Sequence, residues 1–272
     1  MPANKFLAPF AVLALLFLYL AWEVDPGYAK YLIPCLVVAA LIYVSSPQIN
    51  WWWWQRNPPD LEPQFHAWLE HNSLFYNSLP AAERRHFRSR IFLHRENIDW
   101  TPMAWPDEKV PTDVQLAIAS QAAMLTLGRA DFLFSKFEKV IVYPKPFLSP
   151  EHPQPHASEL FEPDGCLIFS AEQLMFATMQ PGQFFNPVLY EYARAFALSF
   201  PETRLPIFPD EAPVWEKLAQ VGGHTRPQIE ETIGLPNLDA TAAAVHHFFT
   251  FPVRFAAVFP AEAEAMRQAF RP

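Results

Sequence analysis

Two apolar runs open the chain, and short amphipathic segments follow them. Residues 6–22, FLAPFAVLALLFLYLAW, are 17 positions without a charge. At about 1.5 Å per residue, a helix of that length nearly crosses a bilayer core. The second run, YLIPCLVVAALIYV at 31–44, is short for a span and follows an acidic link with Glu23 and Asp25. Lys30 can snorkel at one end, and WWWWQR at 51–56 supplies an aromatic belt with Arg56 at the other. The pattern predicts two transmembrane helices, at about 6–22 and 29–45, within an anchor spanning 1–56. A cleaved signal peptide is the alternative for the first run, but no small-x-small cleavage site follows it cleanly. The amino terminus and Lys5 on one side, with Arg56 on the other, favour a hairpin with both ends in the cytoplasm. NPPDLEP at 57–63 is then a stiff linker, and 64–272 one domain facing the cytoplasm.

Within that domain the periodicity predicts consecutive helices over 64–79 and 81–97, then an irregular stretch rich in Trp and Pro over 98–111. The second helix carries Arg84, Arg85, Arg88, Arg90 and Arg95. A solvated face is the favoured reading, because Glu83 and Glu96 dilute the charge; contact with anionic lipid is the alternative. TDVQLAIASQAAMLTLG at 112–128 reads as a core helix, capped by Thr112 with Gln115 and closed by Gly128. EKVIVYP (138–144) and CLIFS (166–170) read as strands joined by a long loop that holds His152, His156 and Glu159. Ser170 with Gln173 caps the next helix, and Asn186 with Pro187 starts the one after it. Helices over 238–249 and 260–270 end the chain. The expected fold class is a mostly helical α+β domain with a small sheet.

Composition narrows the function. Of 272 residues, 51% are hydrophobic and only 18% charged, which is consistent with part of the chain in lipid. The net charge of −8 argues against a general nucleic-acid role. Glycine is scarce, and no phosphate-cradling loop or Gly-x-Ser-x-Gly elbow is present. The two cysteines form no CxxC, and Cys166 reads as a buried structural thiol. His246 and His247, adjacent on a helix, are expected to point about 100° apart, one inward and one outward. His152 and His156 lie in a proline-rich loop, where solvated histidines are commoner than ligating ones.

The informative stretch is LYEYARAF, 189–196. It has the frame of a His-Glu-x-x-His zinc helix, with Tyr190 and Arg194 where the histidines would stand and Glu191 in the general-base position. In order, AIASQAAMLTLG, FEKVIVYPKPF, HASELF, LIFS, LYEYARAF and VHHFFTFP resemble the MtfA-type zinc-dependent peptidases of bacteria over most of 65–272. The resemblance implies a zincin-like domain with two histidine ligands and a general-base glutamate on one helix, and a glutamate ligand on a later one. Here the two histidine positions are Tyr190 and Arg194, and Glu191 is retained. The later position falls at His246 or, less favourably, at Asp239. It also implies a protein partner, since relatives bind a sugar-uptake repressor, a transcriptional regulator, and some relatives are membrane-anchored. The location implied is the bacterial cytoplasmic membrane.

Zinc needs three protein ligands and an open position. A protonated tyrosine is a poor ligand, and arginine only donates and is always charged. Glu191 and Arg194, three apart on a helix, are placed to pair, with Tyr190 and Tyr192 filling vacated space. The leading expectation is therefore a membrane-anchored pseudopeptidase that needs no cofactor, touches membrane lipid and acts by binding protein. A zinc peptidase with a moved ligand set drawn from His152, His156, Glu159, His246 and Glu191 is one alternative. A structural subunit of a membrane complex is another.

Overall fold

The computed structural model describes residues 1–270. It divides into two compact units, Met1–Pro59 and Asp60–Pro272.

The first unit holds α1 (Pro2–Glu23), α2 (Ala29–Val44) and α3 (Ser46–Arg56). The turn between α1 and α2 is fixed by Asp25, whose carboxylate accepts from the Gly27 N–H at 2.7 Å. The segments Pro2–Glu23 and Pro26–Val44 are long and apolar enough to cross a membrane, and almost none of their surface is buried within the protein. Leu15, Ile33 and Val44 are each more than half exposed. The tryptophan run forms its own helix, α3. There Arg56 lies over the Trp52 ring at 4.3 Å, and Asn50 accepts from the Ala3 N–H at 2.8 Å.

The second unit comprises α4 (Pro63–Asn72), α5 (Leu74–Ser78), α6 (Ala81–Asn97), β1 (Asp99–Pro102), α7 (Thr112–Leu125), β2 (Lys139–Tyr143), β3 (Ser158–Phe161), β4 (Cys166–Ser170), α8 (Ala171–Met179), α9 (Pro187–Ser199), α10 (Ala212–Gly222), α11 (Arg226–Ile233), α12 (Ala240–Thr250), α13 (Pro252–Val258) and α14 (Pro260–Phe270). The sheet order is β1-β2-β4-β3. β1, β2 and β4 run parallel, and β3 closes one edge antiparallel to β4, with Ser158 opposite Phe169. This is the α+β architecture expected, compatible with a zincin-like domain.

Several local expectations change. Helix 64–79 is broken at Ser73, whose hydroxyl accepts from the Tyr76 N–H and starts a new helix. The irregular stretch contains β1; as an edge strand it tolerates Pro102 at its end. β3 lies inside the expected long loop, so Glu159 sits on a strand. Thr112 is the first helical residue of α7 and does not cap it; Gln115 donates instead to the Val110 carbonyl. Ser170 makes no capping bond to α8. The α6 arginines work locally. Arg88 pairs with Asp60, Arg84 donates to the Leu79 and Asn77 carbonyls, and Arg90 donates to the Arg129 carbonyl.

α9 is the organising helix. Asn186 caps it by accepting from the Val188 and Leu189 N–H groups, and Pro187 occupies its first turn. Its Val188, Ala195 and Phe196 are fully buried. It packs on α7, α12, β3 and β4, so its polar side chains are held between the sheet edge and α12.

Candidate functional site

Glu191 is 1% exposed, and both its carboxylate oxygens are engaged. Ser158 on β3 donates to Oε1 at 3.0 Å, and Arg194, one turn along α9, donates to Oε2 at 2.7 Å. The Arg194 side chain is 35% exposed, so the pair spans the boundary between core and cavity. Burial pushes the Glu191 carboxyl above its ordinary range, while Arg194 and Ser158 pull against it. Burial also opposes the Arg194 charge, but Glu191 holds that guanidinium above its usual value.

Tyr190 is buried, and its hydroxyl oxygen accepts from the Asp239 N–H at 2.8 Å. Burial drives its phenol well above the ordinary value, which keeps it protonated at neutral pH. Tyr192 faces elsewhere: its ring stacks on Phe169 and meets Phe134 edge-on in the core. It does not fill the site, contrary to the sequence reading.

Tyr190, Glu191, Arg194 and Asp239 line one cavity of about 580 Å³. The expected loop residues His152 and Glu159 line the same cavity, joined by Glu151. His156 does not line it. It is buried behind, with Nδ1 at 2.9 Å from the Gln154 carbonyl and Nε2 at 3.0 Å from Glu159 Oε2. The solvated pair of loop histidines expected from sequence is therefore one buried histidine and one half-buried. A larger cavity of about 870 Å³ lies away from α9, under Phe248, Phe249 and Met124, and its lining is mostly apolar.

His246 lies at the other end of α9. Its Nε2 accepts from the Asn186 N–H at 3.0 Å, its ring stacks on Phe185 at 4.0 Å, and burial keeps it neutral. It does not line the cavity of Glu191, whereas Asp239 does. His246 and His247 are both buried, at 1% and 0% exposed, so neither points outward as the helix geometry alone suggested. α10 supplies the second wall around His247, where a Cβ on Gly222 would meet Nε2 at 2.2 Å.

These residues do not fit zinc at the helix positions. The Tyr190 oxygen is protonated and hydrogen-bonded, Arg194 is a cation turned onto the Glu191 carboxylate, and His246 is committed to the α9 cap. What the arrangement offers is a polar cleft bounded by the edge strand β3, which contributes Glu159 and Leu160.

Two partners escaped sequence reasoning. Ser158 carries no signal beyond its place in HASELF. Glu151 stands directly before His152, and that adjacency in a turn was the available clue.

A family model described as glucose-regulated metallo-peptidase M90 matches residues 49–196, just over half of the chain, ending two residues past Arg194. No curated protein matches the chain significantly.

Proposed function

We propose that this chain, which belongs to the M90 family of glucose-regulated metallo-peptidases, is a membrane-anchored member that uses its metallopeptidase-like cleft to bind peptide segments without hydrolysing them. The observation that carries the reading is the Glu191–Arg194 pair at 2.7 Å. In a zinc peptidase the glutamate deprotonates metal-bound water. Here its carboxylate is neutralised by a guanidinium from the position where a second zinc-binding histidine belongs, so no base faces a metal at α9.

Binding needs less. β3 is one of the sheet's two edge strands, paired with β4 among the described residues, and it borders the cleft. An extended peptide can add to such an edge through main-chain hydrogen bonds, with the cleft reading alternate side chains. The two exposed apolar helices support anchoring: apolar surface of that extent calls for lipid around it. A protein partner, such as the transcriptional regulator bound by relatives, would present the segment on the cytoplasmic side.

The test uses the full chain in detergent micelles and a library of extended peptides. Selected peptides recovered intact, and displaced by substitutions along β3, support the reading. Peptides recovered cut, with cutting lost in E191Q, overturn it.

A further inference from the structure

The cleft has a second set of donors that α9 does not supply. Glu151, His152 and Glu159 each bring one ligand atom within 4.8 Å of the others. We propose that these three residues bind a divalent transition-metal ion, with zinc the best match, at a site distinct from the α9 positions.

Three observations converge on a cation there. The first is the donor set: one imidazole and two carboxylates are the nitrogen and oxygen ligands zinc takes, and two carboxylates balance its charge. An imidazole donor also argues against magnesium or calcium, which prefer oxygen alone. The second is the support behind the innermost ligand. Glu159 is 4% exposed, and one of its oxygens is held by His156, which is itself anchored on the Gln154 carbonyl. A ligand carboxylate fixed from behind in this way presents its other oxygen in a defined direction. The third is the field. Among the described residues, Glu151, Glu159, Glu191, Asp210 and Asp239 line the cavity against the one guanidinium of Arg194. Three of these acids are already answered, Glu191 by Arg194, Asp210 by Arg226, and Asp239 by the Thr241 and Ala242 N–H groups that it caps, which leaves the excess on the side of Glu151 and Glu159.

Tetrahedral zinc places its ligands ~3.3 Å apart, so from separations of up to 4.8 Å the site must draw in by as much as about 1.5 Å. The geometry allows that, because Glu151 is exposed and His152 half-buried at the turn of a loop whose base is pinned by the Phe147–His156 bridge. Three protein ligands leave a fourth position open toward the cleft, where a carboxylate or carbonyl of a bound peptide can coordinate. Glu191, paired with Arg194, takes no part in this site.

The test is zinc titration of the full chain in detergent, with stoichiometry by elemental mass spectrometry and thermal unfolding as a second readout. We expect one zinc per chain, and a rise in Tm with zinc. H152A and E151Q, both at accessible positions, should weaken zinc binding at least tenfold and abolish the Tm response, and E191Q should leave both intact. E159Q should lose zinc as well, and a normal apo Tm would show that it still folds. No zinc above background, or binding indifferent to H152A and E151Q, overturns the proposal. Zinc lost in E191Q but kept in H152A would overturn both this site and the non-hydrolytic reading. Loss in H152A alone leaves that reading untouched.

Discussion

Arg194 donates to Glu191 at 2.7 Å across one turn of α9, and Ser158 holds the other carboxylate oxygen from the sheet edge. This relationship decides how the cleft is read. A buried charge pair adds little net stability, but an unpartnered buried carboxylate is costly.

Arg194→Ala should therefore destabilise the protein by roughly 2–3 kcal/mol, less than the 3–5 typical of a fully buried pair because water reaches the guanidinium. Adding Glu191→Gln should recover part of the loss, since the neutral amide needs no counter-charge. Denaturant midpoints of the two single variants and the double variant give the coupling directly.

Tyr190→Phe removes the acceptor for the Asp239 N–H at the start of α12. The expected cost is about 1–2 kcal/mol, the penalty of leaving a part-buried donor unsatisfied. Hydrogen exchange should quicken at the first turn of α12 and remain unchanged at α14.

Acid should weaken the fold through its buried histidines. Burial holds His94 down to about 3 and His247 to about 4, and keeps His246 well below its ordinary value. Each takes up a proton more readily when unfolded. Their neutral burial is compatible with full stability above about pH 6.5, and stability falls as the pH drops from there toward 4. Each group contributes a slope of roughly 1.4 kcal/mol per pH unit in that window. Urea midpoints at pH 7 and pH 5 measure it, and His94→Gln should flatten the dependence.

Gly234 ends α11 at φ +86°, and a Cβ there would lie 2.5 Å from the Pro155 carbonyl oxygen. Gly234→Ala should cost about 1–3 kcal/mol from strain and crowding. It should also displace the loop carrying His152, because the Ile233 carbonyl tethers that loop through the Ala157 N–H. Crystallography or cysteine accessibility at position 151 would detect the shift.

The helices carrying strong periodicity or a clear cap were legible in the sequence: α6 and α9 fall where their patterns place them, and α7 starts at Thr112 as expected but ends at Leu125, short of Gly128. β1 and β3 were not. Each is only four residues long, one ends in proline, and the other is hidden in a proline-rich segment. The Glu191–Arg194 spacing could be read from helix geometry alone. Ser158 could not, because its contact with Glu191 spans 33 residues and depends on the pairing of β3. The placement of His246 also needed the fold. The order of motifs says nothing of α12 running past α9, which brings Asp239 to Tyr190 and His246 to Asn186. The two adjacent histidines are both buried because α9 and Phe185 cover one while α10 covers the other.

The most direct test of the central claim is the initial rate of casein hydrolysis by the full chain with added zinc, compared with E191Q and with a chelator-treated sample. The account predicts rates equal to buffer in all three. Hydrolysis that both the chelator and E191Q abolish would contradict it, because Glu191 would then be working as a base on a metal-bound water despite Arg194.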